Sequence, residues 1–308
     1  METGIVIKSV GSRYRVICTD GTVIECTLKG KLRVKDIKTT NPVAVGDNVL
    51  VETDIQHKTG VIVDVLDRKN YILRKSSNLS RQSQVIAANI DQAILMVTIV
   101  FPETLPEFID RYLVTAEAYR VPAILLFNKT DLYGEEDNEK MKYLISVYER
   151  VGYRCQKLSI KTGEGLDEVK TALRDKISLI SGNSGVGKSS LINALHPGLN
   201  LKTEEISSYH KQGKHVTTFP EMFKMPFGGF VIDTPGIRGF GVVDMERNEI
   251  YHFFPEIFRI SEQCRYYNCL HLNEPGCAVI KAVEDGLIDI LRSRSYWNII
   301  NDVNRNYR

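Results

Sequence analysis

Short apolar runs separated by polar turns fill about the first 70 residues of the chain, and this pattern is typical of β-strands. The runs are rich in Val, Ile and Thr, and turn dipeptides such as Asp20-Gly21 and Gly46-Asp47 punctuate them. Five short strands in a segment of this length predict an OB-type barrel, with an SH3-like barrel as the near alternative. The predicted strands are residues 4–10, 14–18, 22–28, 48–52 and 61–66.

After about residue 71, the pattern changes to apolar strands that alternate with helices. Residues 93–100 and 121–127 are apolar runs of the kind expected of parallel strands buried on both faces. This alternation predicts a doubly wound α/β domain, whose ligands lie at the carboxyl ends of its strands. The further predicted strands are 154–158, 177–180 and 230–232, and the predicted helices are 105–119, 136–151, 166–177 and 188–195.

The last part of the chain, from about residue 246, predicts a helical region around a cluster of Cys and His residues. A helical lead-in precedes the cluster, and a helix is expected from about Gly276 onward. We therefore predict a multidomain α/β protein whose three domains span residues 1–70, 71–245 and 246–308.

Charge and composition exclude only a few classes of protein. The 40 Lys and Arg residues nearly balance 38 Asp and Glu, for a net charge of +2, so a nucleic-acid-binding surface has to be local. No apolar run approaches the roughly 20 residues that span a bilayer, and the first 15 residues lack the pattern of a secretory signal. Six cysteines are too few for a disulfide scaffold of this size. We expect a soluble cytoplasmic protein without a membrane partner.

A local basic surface is predicted on a loop of the barrel at residues 29–38, which carry five cations and one anion. An OB-type barrel with a basic loop suits RNA backbone or unpaired bases. The candidate RNA-binding residues are Lys29, Lys31, Arg33, Lys35 and Lys38.

The strongest chemical motif is a phosphate-binding loop that matches G-x-x-x-x-G-K-[ST] in full, between a predicted strand and a predicted helix. Its glycines let the backbone wrap closely around phosphates, so that N–H groups point at the charge. Lys188 is expected to reach the β- and γ-phosphates, and Ser189 is expected to bind Mg²⁺. The candidate nucleotide-binding residues of this loop are Gly182, Asn183, Ser184, Gly185, Val186, Gly187, Lys188, Ser189 and Ser190.

Asp233-Thr234-Pro235-Gly236 follows another apolar strand and matches the D-x-x-G segment of GTPases. There, Asp233 would support the magnesium shell and the Gly236 N–H would sense the γ-phosphate. Between the two motifs lies a polar, Gly-containing stretch, in which Thr217 or Thr218 would complete the magnesium shell; we favour Thr217.

The catalytic group is the least determined part of this site. Many GTPases place a water-orienting Gln directly after D-x-x-G, but Ile237 occupies that position here. His215 is the nearest polar candidate for a catalytic role, and a solvated or RNA-contacting histidine is the alternative. We therefore predict slow intrinsic turnover and dependence on an activator.

Asn128-Lys129-Thr130-Asp131 follows an apolar strand and resembles the guanine-reading N-K-x-D motif of GTPases. A carboxylate at Asp131 accepts hydrogen bonds from guanine N1–H and its exocyclic amine, whereas adenine offers an acceptor at N1. Asn128 is expected to meet the other edge of the base and to tie down the phosphate loop, and Lys129 to lie over the ring. Ser159-Ile160-Lys161 resembles the S-A-K loop behind the guanine, with Ile160 in place of the usual Ala.

The order of these motifs is reversed relative to an ordinary GTPase, because the base-reading loop precedes the phosphate loop. The sequence therefore predicts a circularly permuted P-loop GTPase domain. Permutation leaves the nucleotide site intact and changes what is attached to its moving parts.

Four residues of the C-terminal region have the spacing C-x₄-C-x-H-x₅-C, which is typical of zinc sites. Three thiolates and one imidazole form a closed tetrahedral shell, so the predicted Zn²⁺ is structural. The ligands are Cys264, Cys269, His271 and Cys277.

Together, the motif order, the flanking barrel and the zinc spacing resemble the RsgA family of ribosome small subunit-dependent GTPases, over nearly the whole chain. The stretch Gly213-Lys214-His215-Val216-Thr217-Thr218 is similar to that family's G-x-H-T-T-T loop, with Val216 replacing the first Thr. The resemblance implies a GTPase that hydrolyses GTP to GDP and phosphate, binds the 30S subunit late in its maturation, is stimulated by it and leaves after hydrolysis. It also implies 16S rRNA as a partner, with GTP or GDP, Mg²⁺ and one Zn²⁺ bound to a monomer.

Two rival functions remain open from the residues alone. One is a nucleotide-dependent RNA-binding scaffold in which hydrolysis is incidental. Ile237 is compatible with this function, because it replaces the Gln that orients water for hydrolysis. The other is a GTP-dependent protein-interaction switch unconnected to RNA, against which the basic loop argues.

Overall fold

The computed structural model describes residues 1–30, 42–54, 58–75, 83–201, 220–233 and 245–305. Its first part is a five-stranded barrel. The strands pair in the order β1-β2-β3-β5-β4 and close through β1–β4, and all pairs are antiparallel except β3–β5. The predicted barrel is confirmed. The strands are β1 (Glu2–Val10), β2 (Arg13–Cys18), β3 (Val23–Leu28), β4 (Asn48–Asp54) and β5 (Thr59–Val65).

Alternation along these strands explains why the barrel has one interior. Side chains with a period of two point to the same face of a strand. Val49 and Val51 of β4 and Ile24 and Cys26 of β3 are buried, and all four belong to one apolar cluster. Glu25, between the two buried residues of β3, is exposed.

The second part is a doubly wound sheet in the order β10-β9-β8-β11-β13-β12, which is parallel except for β12. A separate two-stranded sheet, β6 with β7, precedes it. The strands are β6 (Tyr71–Lys75), β7 (Ser83–Ala88), β8 (Gln92–Val97), β9 (Ala123–Phe127), β10 (Arg154–Lys157), β11 (Ile177–Gly182), β12 (Glu221–Lys224) and β13 (Phe230–Asp233). The helices are α1 (Pro106–Ala118), α2 (Glu135–Val151), α3 (Leu166–Leu173) and α4 (Lys188–Leu195).

The central strands are buried on both faces because helices cover each side of the sheet. Leu95 of β8 belongs to the cluster that includes residues of α1 and α2, whereas its neighbours Ile94 and Met96 belong to the cluster with α3 and α4. Each face therefore uses every second residue of the same strand. This is why residues 93–97 of β8 are apolar at every position.

The helical C-terminal region packs against α1 through a buried ionic network. Arg292 is 1% exposed, and its Nη1 donates to Asp110 of α1 at 2.5 Å while its Nε donates to Glu256 at 2.6 Å. The guanidinium also lies 4.6 Å from the ring centroid of Phe254. The region contains a short 3₁₀ helix at Ile250–Phe253, followed by α5 (Pro255–Ser261), α6 (Ala278–Glu284) and α7 (Ile290–Arg305).

The barrel also reaches the α/β sheet directly. Lys8 of β1 is the register partner of Glu221 of β12, and its Nζ lies 3.0 Å from both carboxylate oxygens of Glu221. The first strand of the chain thus pairs with β12 of the α/β sheet.

Two helices end earlier than the sequence pattern predicts. The helix expected at 166–177 ends at Leu173, because Asp175 takes a left-handed φ of 57° and Ile177 enters β11. The helix expected from Gly276 is interrupted at Gly286, whose φ is 73°. Among the described residues, no helix is long and apolar enough to cross a membrane.

Candidate nucleotide site and metal centre

The described parts of the predicted nucleotide motifs meet at the carboxyl edge of the parallel sheet. Asn128 follows β9, Ser159 lies just beyond β10, and β11 ends at Gly182. β13 ends at Asp233. Since these four strands are parallel neighbours, or neighbours through β8, their ends bring residues from distant parts of the chain to one site.

The phosphate loop needs glycine at two positions for steric reasons. At Gly182 the φ is 149°, and an added Cβ would lie 2.7 Å from the carbonyl oxygen of Met96. Gly187 has a φ of 102°, and an added Cβ there would lie 2.6 Å from Nδ2 of Asn128. The close approach of the Met96 backbone and of the Asn128 side chain leaves no room for a side chain at these two positions.

Lys188, at the start of α4, closes the loop on itself. Its Nζ donates to the carbonyl oxygens of Gly182 and Asn183, each at 2.8 Å. Burial lowers the pKa of Lys188, and the nearby carboxylate of Asp233 opposes this shift. The ammonium group therefore lies at the loop, where a phosphate oxygen can replace the two carbonyls as its partner.

Asn128 joins the base-reading loop to the phosphate loop. Its Nδ2 donates to the carbonyl oxygen of Val186 at 2.8 Å, and the residue is 2% exposed. Its backbone carbonyl accepts from the hydroxyl of Tyr133 at 2.5 Å, and the same hydroxyl accepts from the backbone N–H of Ile99 at 2.9 Å. Within the described residues, Oδ1 of Asn128 is buried without a hydrogen-bond partner, which marks a place for a ligand or water donor.

Lys129 spans the same two loops on the outer side. Its backbone is left-handed, with a φ of 67°, and its Nζ donates to the carbonyl oxygen of Gly185 at 2.7 Å and to that of Phe101. Burial lowers the pKa of Lys129, with Asp131 acting in the opposite direction. The side chain thus crosses from the base loop to the phosphate loop.

Asp131 is exposed and is oriented from behind by Ser159. The buried Ser159 Oγ donates to Oδ1 of Asp131 at 2.7 Å, and it accepts from the backbone N–H of Thr162 at 3.2 Å. Ile160 lies beside the phosphate loop, since its Cδ1 would be 3.3 Å from a Cβ added at Gly187. Lys161 is exposed. The hydrogen bond from Ser159 to Asp131 therefore joins the two base-reading loops, and Thr130 adds a second link through its hydroxyl, which donates to Glu164 at 2.9 Å.

Asp233 has the properties expected of a magnesium-supporting carboxylate. Burial raises the pKa of Asp233, Lys188 lowers it and Glu221 raises it. Its Oδ1 is buried and has no hydrogen-bond partner in the described part of the chain. Ser189 lies in the first turn of α4, and a hydroxyl with a carboxylate is a donor set that suits Mg²⁺. The residues present fit this ion.

Several predicted site residues lie outside the described residues. These are His215, Thr217, Gly236, Lys31, Arg33, Lys35 and Lys38. Of the predicted RNA-binding cations, Lys29 is described: it is exposed, and its Nζ lies 3.0 Å from Oε1 of Glu52.

The four predicted zinc ligands lie together in the C-terminal region, and their ligand atoms all fall within 4.8 Å of one another. His271 Nδ1 lies 3.5 Å from Sγ of Cys264 and 3.4 Å from Sγ of Cys277, and the two sulfurs are 3.8 Å apart. Zn–S distances of about 2.3 Å and Zn–N distances of about 2.0 Å imply tetrahedral edges of about 3.5 Å for S–N and about 3.8 Å for S–S. The residues therefore fit zinc, with Nδ1 as the imidazole ligand.

The protonation of this cluster depends on whether a cation is bound. Burial, with neighbouring Cys277 and Cys264, raises the pKa of Cys269 to about 12. Three thiolates in one buried cluster require a positive charge among them.

Sequence reasoning missed the groups that support both sites. Tyr133, whose hydroxyl joins two strand ends, carries no motif of its own. Glu274, between two zinc ligands, accepts three backbone hydrogen bonds. The available sequence signal for Glu274 was its position as an acidic residue between the metal ligands His271 and Cys277.

Comparison with known proteins agrees with this geometry. The family model described as RsgA GTPase matches residues 65–243, and the model described as RsgA N-terminal domain matches residues 3–62. The chain belongs to the RsgA GTPase family. The resemblance inferred from the motifs is confirmed.

Relatives in this family match over nearly their whole length. The chain is 54% identical over 299 residues to the small ribosomal subunit biogenesis GTPase RsgA of Bacteroides fragilis, covering 97% of this chain and 96% of the relative. It is 52% identical over 307 residues to the RsgA of Christiangramia forsetii, with coverage of 99% and 98%.

Solved structures of the same fold extend the match. YjeQ from Thermotoga maritima aligns with a TM-score of 0.79 at 37% identity, over 98% of each chain. YloQ, a circularly permuted GTPase, aligns with a TM-score of 0.76 at 29% identity, over 99% of this chain and 96% of that one. The predicted permuted GTPase fold is thereby confirmed.

Proposed function

We propose that this RsgA-family chain is a Mg²⁺-dependent GTPase that binds the small ribosomal subunit, is activated by it and acts late in its maturation. The observation that carries the proposal is the joining of the base-reading and phosphate loops. Asn128 donates to the carbonyl of Val186, and Ser159 donates to Asp131. The relatives' printed name, small ribosomal subunit biogenesis GTPase, supports the choice of partner.

Guanine is the base that this arrangement suits. Ser159 holds one oxygen of Asp131, and the exposed carboxylate offers acceptors to the N1–H and amine of guanine. Adenine presents an acceptor at N1 and is therefore repelled. Lys129 crosses the opening between the loops, so that its aliphatic stem covers the base.

Phosphate binding falls to Lys188 and the N–H groups of residues 182–190, and the magnesium ligands we propose are Ser189, Asp233 and Thr217. When bound, Mg²⁺ neutralises charge on the β- and γ-phosphates. Lys188 is already placed at the loop, where its ammonium exchanges two carbonyl partners for phosphate oxygens. Gly236 would sense the γ-phosphate through its N–H.

Catalysis by this chain alone should be slow, because Ile237 stands where a water-orienting Gln is common. We propose that the small subunit supplies the missing organisation, either by positioning His215 or by ordering the loop at 198–218 around the attacking water. We also propose that the protein leaves the subunit after hydrolysis, when the γ-phosphate sensed by Gly236 is gone.

The barrel is the proposed contact with 16S rRNA, through the cations of residues 29–38. Lys29 is exposed on the barrel, as such a role requires, although Glu52 neutralises part of its charge. The zinc centre, with four protein ligands, has a structural role. We further propose a cytoplasmic monomer whose domains span 1–70, 71–245 and 246–308.

Turnover with and without purified small subunits tests this function. GTP hydrolysis is measured at low salt, where co-sedimentation first establishes binding. We expect a gain of at least about tenfold, a cautious value beside the ~10³–10⁵ that a catalytic element supplied in trans gives in related switches. If bound subunits leave the rate unchanged, the chain is instead a nucleotide-dependent RNA-binding scaffold.

A further inference from the structure

His271, the imidazole ligand of the zinc cluster, has a backbone that an ordinary residue rarely adopts. Its φ is 57°, in the left-handed region. A non-glycine residue stays there only when its surroundings fix it. The groups that hold this turn therefore decide where the imidazole points.

Glu274 holds the N–H side of the turn. Its Oε1 accepts from the backbone N–H of Leu270 at 2.9 Å, and its Oε2 accepts from those of Leu272 at 2.8 Å and Asn273 at 3.1 Å. These donors lie on both sides of His271 in the chain. One carboxylate thus satisfies three backbone groups that the turn leaves without a secondary-structure partner.

The carbonyl side of the same turn is held by α7. Tyr296 donates its hydroxyl to the carbonyl oxygen of Leu270 at 2.7 Å, and Trp297 donates its indole N–H to that of His271 at 3.0 Å. The turn is therefore fixed from two directions.

Glu274 also reaches the next ligand through its main chain. Its carbonyl oxygen accepts from the backbone N–H of Cys277 at 3.2 Å. One residue thereby connects the segments that carry His271 and Cys277, whose ligand atoms are 3.4 Å apart.

We propose that Glu274 is a positioning residue for the metal centre, which sets the left-handed turn and so aims Nδ1 of His271 at the zinc position. The inference rests on the proposed zinc site. Both carboxylate oxygens are engaged by backbone donors, so Glu274 acts through His271 and not as a fifth ligand.

The test measures Zn²⁺ affinity of the full chain by competition with a chromophoric chelator. For Glu274→Ala we expect a loss of about 10–100-fold, the range for groups that orient metal ligands. Glu274→Gln keeps one acceptor oxygen and the same shape, so its loss should be smaller. Glu284→Ala removes an equally negative but exposed side chain on α6 and should leave the affinity unchanged.

Co²⁺ substitution separates positioning from general stability. We expect the wild-type absorption bands of a site with three sulfurs and one nitrogen, and altered ligand-field bands in Glu274→Ala, while GTP binding is retained. Should Glu274→Ala not fold, Glu274→Gln carries the same two measurements. Absence of zinc from the wild-type protein overturns the proposed site itself. Zinc in the wild type, with wild-type affinity and Co²⁺ spectra in the Glu274 variants, overturns this inference alone.

Discussion

Asp131→Asn should convert the nucleotide preference from guanine to xanthine. The substitution keeps the size of the side chain and one oxygen, which can still accept from Ser159. The other oxygen becomes an amide that donates, so it opposes the exocyclic amine of guanine, while the retained oxygen still faces N1–H. Xanthine carries a carbonyl oxygen in place of the amine and accepts from that amide.

The size of the effect follows from two hydrogen bonds to guanine, of which one is lost and the other is no longer made to a charged group. Bonds to a charged group are worth about 1.5–3 kcal/mol each, or about 3–6 kcal/mol for the pair. Because Asp131 is exposed, the lower end applies, and about 3 kcal/mol corresponds to about a 10²-fold weaker Kd for GTP.

Competition of GTP, XTP and ATP against a fluorescent guanine nucleotide provides the assay. Ser159→Ala is the matched control: it removes the group that orients the carboxylate but keeps the charge. It should weaken GTP by about tenfold and leave guanine preferred over xanthine. Unchanged GTP affinity in Asp131→Asn, or equal affinity of the unaltered protein for ATP and GTP, would refute the role of this carboxylate.

Three further outcomes are expected. Elemental analysis should find one Zn²⁺ per chain, and Cys269→Ser should lose it and disorder residues 255–280 without loss of GTP binding; zinc-free protein purified without chelator contradicts the site. Lys188→Ala should abolish basal and stimulated turnover, whereas His215→Ala should spare GTP binding and remove mainly the stimulated part. If the small subunit stimulates His215→Ala as much as the unaltered protein, another group orients the attacking water. Removing the barrel cations together should weaken small-subunit binding and flatten its dependence on salt, because each phosphate contact releases counterions; unchanged binding moves the RNA surface elsewhere. The cations to replace are Lys29, Lys31, Arg33, Lys35 and Lys38.

The sequence predicted those parts of the fold that follow from local pattern. α4 runs from Lys188 to Leu195 as expected, because a phosphate loop and an amphipathic run define both its ends. Strand β12 was not predicted. Its four residues, Glu221–Lys224, show no hydrophobic alternation that predicts a strand, and it is their pairing with β13 and β1 that makes them one. The break at Asp175 depends likewise on the strand that must begin at Ile177.

The residues of the candidate site also fall into those that the sequence predicted and those that it did not. Asp131, whose own side chain is expected to contact the base, was predicted from its motif and from its position after a strand. Glu274 and Tyr133 were missed because they act on backbone N–H and carbonyl groups. Those partners become visible only when the turn conformations of the loops are known.

The pairing of Lys8 with Glu221 joins residues that are 213 positions apart in the chain. At translation rates of about 5–20 residues per second, β1 is made about 10–40 s before β12. The barrel closes on itself through β1 and β4, so it can fold during that interval. The nucleotide-binding sheet cannot, because β11, at its centre, lies between β8 and the late strand β13. The nucleotide site is thus completed only after β13 has been made, long after the barrel, the proposed RNA-binding domain, is able to fold.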